Sequence, residues 1–145
     1  MYKYKYENFH NDVGSLIKQV DGYNPDIILA VARGGVTLGH FMAEGMNLRA
    51  LFTLNSIHYD DQKKLDTIDV FNIPELGEEK RVLVVDDIVD SGESMEEIMK
   101  ILKEKFPKNT FKSAVLFYKK EAIYQPDFKC HEAKEWIEFF WSREL

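Results

Sequence analysis

The sequence predicts an α/β domain whose central sheet is mainly parallel. Short unbroken apolar runs alternate along the chain with segments whose apolar residues recur at helical spacing. Each long apolar run is followed directly by charged or glycine-containing residues. Because ligands of such sheets bind beyond the carboxyl ends of the strands, the residues that follow these runs are the candidate site.

Composition limits the class of protein further. The 145 residues are 45% hydrophobic and 30% charged, which is typical of one globular domain, and we expect a single domain over residues 1–145. No apolar run approaches the length of a membrane span, and the N-terminus lacks the apolar core of a secretory signal. The net charge of -6 argues against general binding of nucleic acid. Cys130 is the single cysteine and excludes an internal disulfide, so we expect a cytoplasmic protein.

The first elements are a helix and a buried strand. Apolar residues share one face over residues 8–20, which predicts an amphipathic helix. The run IILAVA at residues 27–32 is typical of a strand that is covered on both faces. Arg33-Gly34-Gly35 follows it, and a second helix is predicted from there to about Met46.

A second strand is predicted near residues 50–57, and a long polar connection follows it. The connection runs from about His58 to Leu76 and contains Asp60, Asp61 and Asp66 beside two lysines. Connections of this length in a compact domain are usually functional or mobile. We therefore expect this connection to be solvated and either functional or mobile.

The second half of the chain repeats the alternation. The apolar run VLVV at residues 82–85 predicts a strand, and apolar residues at helical spacing from Met95 to Phe106 predict the helix that follows. Pro107 ends that helix. The run SAVLFY at residues 113–118 predicts another buried strand, with Lys119 directly after it.

An acidic turn joins the strand at residues 82–85 to its helix. Asp86 and Asp87 follow the apolar run directly, where a carboxylate pair can accept hydrogen bonds from hydroxyl groups or help to hold a divalent cation. Asp90-Ser91-Gly92-Glu93-Ser94 then opens the helix, and its backbone N–H groups and hydroxyls suit a phosphate. Together the two parts suit a ribose 5-phosphate. On spacing alone, the second part is equally consistent with a helix N-cap.

The stretch VLVVDDIVDSGES closely resembles the phosphoribosyl pyrophosphate (PRPP) motif of the type I phosphoribosyltransferases. That motif is an apolar strand, two acids, two apolar residues, Asp, Ser or Thr, Gly, any residue, and Ser or Thr. The resemblance covers most of residues 27–141 and is greatest to the small bacterial and archaeal enzymes that act on 6-oxopurines. It implies the type I fold: a mainly parallel sheet flanked by helices, a flexible hood loop and a small C-terminal base-binding segment.

The resemblance assigns the PRPP-binding residues. It implies that Asp86 and Asp87 bind the ribose hydroxyls and an associated Mg²⁺, and that Arg33-Gly34-Gly35 forms the pyrophosphate loop, with the bond from Ala32 to Arg33 a candidate cis peptide. The 5-phosphate loop would comprise Asp90, Ser91, Gly92, Glu93 and Ser94. Asp90 is also the candidate general base near N7 of the purine. Arg33 has the alternative role of fixing a turn.

The resemblance also assigns the base-binding residues. Lys119 matches the lysine that reaches the 6-oxo group, Trp136 the aromatic that stacks on the base, and Ile137 the neighbour whose backbone reads the exocyclic edge. Tyr59 is the candidate contact residue of the hood loop. Lys119 has the alternative of a solvated lysine after a strand, and Trp136 that of a core or dimer-surface residue.

These assignments imply a Mg²⁺-dependent enzyme of purine salvage, usually a homodimer or homotetramer in this family. It would transfer a phosphoribosyl group from PRPP to hypoxanthine, guanine or xanthine. The alternative is a non-catalytic regulator on the same fold that binds PRPP or nucleotides. Two departures from the family pattern stand out. Glu93 lies within the phosphate loop, where we expect it to point into solvent, and Ser142 replaces an acid near a possible second metal site, which Glu144 would supply only if the tail shifts.

Overall fold

The computed structural model describes residues 1–59 and 67–145. The helices are α1 (Tyr6–Val20), α2 (Val36–Gly45) and α3 (Glu93–Lys105). The strands are β1 (Tyr2–Tyr4), β2 (Ile27–Ala32), β3 (Leu51–Tyr59), β4 (Thr67–Phe71), β5 (Arg81–Val89), β6 (Thr110–Tyr118), β7 (Phe128–Glu132) and β8 (Ile137–Phe139).

The main sheet has six strands in the order β4-β3-β2-β5-β6-β7. All neighbours are parallel except β3 and β4, which are antiparallel. The prediction of an α/β fold with a mainly parallel sheet is therefore confirmed. The strand predicted at residues 27–32 is β2, in the interior of this sheet.

Apolar side chains fill both faces of the main sheet. On one face, Ile28 and Leu83 join a core with residues of α1 and α2, and on the other Leu29 and Val84 join a core with residues of α3. Successive residues of a strand point to opposite faces, so an unbroken apolar run serves both layers. Among the described residues, no helix is long and apolar enough to cross a membrane.

The predicted loop from His58 to Leu76 is partly wrong, because strands occupy some of it. His58 and Tyr59 complete β3, and residues 67–71 form β4, in register with β3 from Asn55↔Phe71 to Tyr59↔Thr67. The carboxylates at Asp60, Asp61 and Asp66 lie outside the described residues, so their predicted mobility stays a prediction. The alternating apolar residues of β4 were missed because charged neighbours dominate that stretch.

A small second sheet was also missed. β1 and β8 form a parallel pair separate from the main sheet, and β7 adds an edge strand beside β6. Strands of three residues are too short to show a period in the sequence. The small sheet holds the start of the C-terminal segment, whose residues line the larger cavity described below.

Candidate active site

The ends of three neighbouring strands bring the predicted residues to one edge of the main sheet. β2, β5 and β6 are adjacent and parallel, so the segments that follow them leave at the same side. Arg33 follows β2, Asp90 follows β5 and Lys119 follows β6. The Lys119 N–H donates to the Val89 carbonyl at 2.9 Å, which fixes the last two segments beside each other.

Asp86 and Asp87 are half-buried within the last part of β5. The Asp87 N–H donates to Oδ1 of Asp86 at 2.8 Å, and the Ile88 N–H donates to Oδ1 of Asp87 at 2.7 Å. Burial raises the pKa of Asp86 well above its ordinary value, and the neighbouring negative charge of Asp87 raises it further. Burial also raises the pKa of Asp87. The described part of the chain therefore does not compensate the negative charge of this pair, and a cation or hydroxyl donors would stabilise it.

The loop after β2 packs against this carboxylate pair. The peptide bond from Ala32 to Arg33 is cis, as predicted. A Cβ atom placed on Gly34 would lie 2.4 Å from Oδ2 of Asp87, and one on Gly35 would lie 2.5 Å from the Val85 carbonyl oxygen. A larger residue at Gly34 would displace the Asp87 carboxylate, and one at Gly35 would displace the backbone of the loop or of β5. The two glycines therefore allow the loop to approach the end of β5.

The turn after Asp90 forms a backbone cradle. Gly92 adopts a φ of 89°, in the left-handed region, and a Cβ there would lie 2.6 Å from the Tyr124 nitrogen. Gly92 is the N-cap of α3 and makes no side-chain cap bond, so the turn is also the helix N-cap that its spacing allowed. Ser91 Oγ accepts from the Glu93 N–H at 3.2 Å. The N–H groups of Ser94 and Met95 have no acceptor among the described residues, which leaves donors available to an anion.

Glu93 does not simply point into solvent as predicted. Its Oε2 lies 3.3 Å from Nε2 of His58 at the end of β3, and both side chains are partly exposed. The carboxylate is therefore turned toward the β3–β4 hairpin. This contact joins the start of α3 to the segment that was predicted as the hood loop.

Lys119 and Asp90 form an ion pair. Nζ of Lys119 lies 2.7 Å from Oδ1 of Asp90, and the side chains are 46% and 64% exposed. The hydrogen bond with Asp90 raises the pKa of Lys119. Lys119 is therefore not a lone solvated lysine. The Lys119 ammonium is a hydrogen-bond donor, and the adjacent Asp90 carboxylate is an acceptor. Together they suit a ligand whose edge has an acceptor next to a donor.

The larger of two adjoining cavities, about 760 Å³, contains the predicted base-binding residues. Asp90, Lys119, Trp136 and Ile137 all line it, together with Asp87. Trp136 is 76% exposed, so the alternative of a core residue is wrong for this tryptophan. An exposed indole beside polar groups in a cavity provides a surface on which an aromatic ligand can stack.

The smaller cavity, about 590 Å³, lies on the other side of Asp87. It is lined by Arg33, Gly34, Thr37, Asp87, Trp141, Ser142, Arg143 and Glu144. Neither arginine forms an ion pair within residues 1–59 and 67–145. Two free guanidinium groups beside a glycine loop suit an anion such as a pyrophosphate.

Several residues of these cavities were not predicted from the sequence. Thr37 and Arg143 belong to no recognised motif. Glu144 lines the same cavity as Asp87, although we expected it to reach the site only if the C-terminal tail shifts. The signal for Arg143 was its nearness to the aromatic C-terminal run. Conversely, several predicted site residues line neither cavity: Gly35, which is buried, Asp86, which is half-buried, Ser91–Ser94, and Tyr59.

The carboxylates present fit Mg²⁺ only together with a ligand. In the described ranges, no group of three or more potential metal-binding side chains comes together. Mg²⁺ is usually held by one or two carboxylates plus water and substrate phosphates. Asp86 and Asp87 supply that number, and their raised pKa values are the sign of an uncompensated acidic site.

Comparisons with a family model, with curated proteins and with solved structures all match phosphoribosyltransferases. A family model described as "Phosphoribosyl transferase domain" matches residues 4–145. The solved structure of Helicobacter pylori xanthine-guanine-hypoxanthine phosphoribosyltransferase is 40% identical with a TM-score of 0.90, over 97% of this chain and 92% of that one. The xanthine-guanine phosphoribosyltransferase of Idiomarina loihiensis is 31% identical, over 81% of this chain and 71% of the relative. A purine phosphoribosyltransferase from Pyrococcus horikoshii, 24% identical over 99% of this chain and 95% of that one with a TM-score of 0.86, shares the fold.

Proposed function

Because the chain belongs to the phosphoribosyl transferase family, we propose that it transfers a phosphoribosyl group from PRPP to a 6-oxopurine. The products are a nucleoside monophosphate and pyrophosphate, and the base is hypoxanthine, guanine or xanthine. Membership of the family confirms the resemblance that the stretch VLVVDDIVDSGES indicated. The choice of a purine is supported by the names of the relatives, which act on xanthine, guanine or hypoxanthine.

One observation carries the proposal: Asp87 lines both cavities. The smaller cavity has the arginines and glycine loop that suit pyrophosphate, and the larger has the stacking surface and the polar pair that suit a purine. Asp87 lies between them, with Asp86 next to it in β5 but lining neither cavity, and the Asp87 carboxylate suits the ribose. A ribose bound at Asp87 would have its C1 between the two cavities. Pyrophosphate could then leave on one side of C1 while the purine attacks from the other, which is the arrangement that the transfer needs.

The PRPP side of the proposal uses backbone groups and charges. Free N–H groups at the start of α3 hold the 5-phosphate, and Asp86 and Asp87 accept hydrogen bonds from the ribose hydroxyls. Arg33, with Arg143, stabilises the negative charge of the pyrophosphate as its bond to C1 breaks. The cations at this edge explain how a chain of net charge -6 binds an anionic substrate.

The base side supplies orientation and proton transfer. N9 of the purine forms the new bond to C1, and the electron pair of the breaking C1–O bond leaves with pyrophosphate. The purine loses the proton on N7, which Asp90 accepts as general base. Lys119 donates to the 6-oxo group, and the ion pair of 2.7 Å supports these paired roles on one purine edge.

Mg²⁺ is part of the proposal. Asp86 and Asp87 would hold it together with oxygen atoms of PRPP, and it would neutralise the charge that develops on pyrophosphate. We also propose the homodimer or homotetramer implied by the family resemblance. Light scattering of the purified chain measures that state directly.

The test is pyrophosphate release from PRPP and Mg²⁺ with hypoxanthine, guanine, xanthine, adenine, uracil or orotate offered separately. We expect release with at least one 6-oxopurine and none with adenine, because Lys119 donates usefully to an oxo group but not to an amine. A parallel sample with excess chelator tests the metal requirement. PRPP binding without release on any base would favour the non-catalytic regulator instead.

A further inference from the structure

The short strand β8 follows Trp136 and is held by β1. The two strands are parallel, with Tyr2 opposite Ile137 and Tyr4 opposite Phe139. The Tyr2 N–H donates to the Trp136 carbonyl at 2.8 Å. In the described part of the chain, β8 pairs with no other strand.

This pairing determines to which edge of β8 each backbone carbonyl is directed. Successive carbonyl groups of a strand point to opposite edges. Since the Trp136 carbonyl is directed to β1, that of Ile137 is directed to the other edge. Ile137 also lines the larger cavity, beside the exposed indole of Trp136. An acceptor is therefore available to an edge of a base that stacks on that indole.

Tyr4 fixes the register of the pairing. Its side chain is 1% exposed, and its ring lies 5.8 Å from that of Phe139 and 5.0 Å from that of Phe117. Its hydroxyl donates to Oδ2 of Asp12 at 2.5 Å, and Oδ1 of Asp12 lies 2.9 Å from Nε2 of His131. A slip of β1 by one residue would turn Tyr4 out of the core.

The family resemblance assigns the Ile137 backbone to the exocyclic edge of the base, where its carbonyl would accept from the 2-amino group of guanine. We infer that β1, which holds this backbone in place, is a specificity-determining element. The inference rests on the proposed function and goes beyond it by assigning a role to an element outside both cavities. Hypoxanthine has no 2-amino group, so loosening β1 weakens guanine recognition more than hypoxanthine recognition. Tyr2 and Tyr4 act as positioning residues, since neither lines the cavities.

The experiment compares Tyr2→Pro with Tyr2→Ala in the full chain. Both variants lose the side chain, but only proline removes the N–H that donates to Trp136. The affinities for GMP and IMP, which differ by the 2-amino group, are measured by titration calorimetry. We expect Tyr2→Pro to lower the ratio of GMP to IMP affinity by about three- to tenfold, the effect of one lost hydrogen bond, and Tyr2→Ala to leave it unchanged.

A conservative variant covers the case in which proline prevents folding. Tyr4→Phe keeps the ring and removes only the bond to Asp12, and we expect the same change of ratio to a smaller extent. Equal losses of GMP and IMP affinity in the folded variants, or equal ratios for Tyr2→Pro and Tyr2→Ala, would overturn the role of β1 while leaving the proposed function intact. Failure of the unmodified chain to bind either nucleotide would overturn both.

Discussion

The two halves of the candidate site are built in different ways. The PRPP half comprises Gly34, Gly35, Asp86, Asp87 and residues 91–94. It lies at the ends of the interior strands β2 and β5 and at the start of α3, and it consists largely of backbone and half-buried carboxylates. The base half, which comprises Asp90, Lys119, Trp136 and Ile137, consists mainly of exposed side chains, with its C-terminal part on the small sheet. The PRPP half has no space for a Cβ atom at three of its glycines, which are Gly34, Gly35 and Gly92.

This difference separates two kinds of recognition. The PRPP half is preorganised by the packing of the sheet, so it should tolerate almost no change of shape. The base half depends on the identity of a few side chains, and a change there should alter the chemistry or the choice of base without disturbing PRPP. Variants of the two halves should therefore separate into effects on PRPP and effects on the base.

The largest expected effect is in the base half. Asp90→Asn should lower kcat by roughly 10²–10⁴-fold, the contribution of a general base, because an amide cannot accept the N7 proton. Steady-state pyrophosphate release with varied PRPP provides the measurement, and the KM for PRPP should stay near that of the unmodified chain. Asp87→Asn is the matched control and should chiefly weaken PRPP binding. Equal loss of PRPP binding in both variants would contradict the division into halves.

Gly34→Ala should damage the PRPP half with little damage to the fold. Its Cβ would lie 2.4 Å from Oδ2 of Asp87 and displace that carboxylate, and misplacement of a site residue by about 1 Å lowers activity by about 100-fold. We expect the loss in kcat/KM for PRPP, with a thermal midpoint close to that of the unmodified chain. Gly22→Ala, where no atom lies within 4 Å, is the control. Full activity of Gly34→Ala would mean that Asp87 is not where PRPP binds.

Asp86→Asn should stabilise the ligand-free protein. The folded pKa of Asp86 is raised, so the native state binds more protons than the unfolded state, and the free energy of unfolding falls as pH rises from 3.8 through the raised pKa. Asp86→Asn has no carboxyl group at this position, so its free energy of unfolding does not fall in this way. We expect a gain of about 1–3 kcal/mol at pH 7, the desolvation penalty of a poorly compensated buried group, which disappears below pH 3.8.

Urea unfolding across that pH range measures the gain. Asp69→Asn, which removes an exposed carboxylate of β4, should show no comparable gain. PRPP binding should be weakened in Asp86→Asn despite the higher stability, as is common when an acidic site residue is replaced. A variant less stable than the unmodified chain at pH 7 would show that the pair is already compensated.

Trp136→Ala should act on the base half alone. Loss of stacking should raise the KM for the purine about tenfold, since stacking of a base on an aromatic side chain contributes about 1–3 kcal/mol. Trp136→Phe should recover most of the affinity. Because this side chain is 76% exposed, the fold should not change, which far-ultraviolet circular dichroism and the thermal midpoint can verify. A higher KM for PRPP would argue against the separation of the halves.

The smallest expected effect concerns Glu93. Glu93→Gln removes a negative charge at the start of the phosphate loop, so PRPP affinity should rise, by at most about fivefold because the partly exposed charge is screened. Glu96→Gln makes the same charge change in the first turn of α3 on an exposed side chain and should have less effect. Calorimetric titration with PRPP compares the two. Weaker binding by Glu93→Gln would give the contact with His58 a positive role in holding the loop.

The PRPP half was the part that sequence could predict. Its residues are contiguous, and the stretch from Val82 to Ser94 joins an apolar run, two acids and a glycine turn in a fixed order. The cis bond at Arg33 followed from the same family resemblance. The base half was harder, because Lys119 and Trp136 lie far apart in the sequence and each had an ordinary structural alternative.

The sequence by itself determined the alternation of strands and helices, the family and the order of the sugar-phosphate motif, because these depend on local periodicity and on neighbouring residues. Tertiary structure alone decided the pairing of Lys119 with Asp90, the contact of Glu93 with His58, the position of Arg143 in the same cavity as Arg33, and the attachment of β8 to β1. Each of these joins residues that are distant in the chain, and only the packing of the sheet brings them together. Asp86 and Asp87 at the end of β5 illustrate both contributions. Their place after the apolar run is a property of the local sequence, whereas their raised pKa values arise from burial in the folded protein.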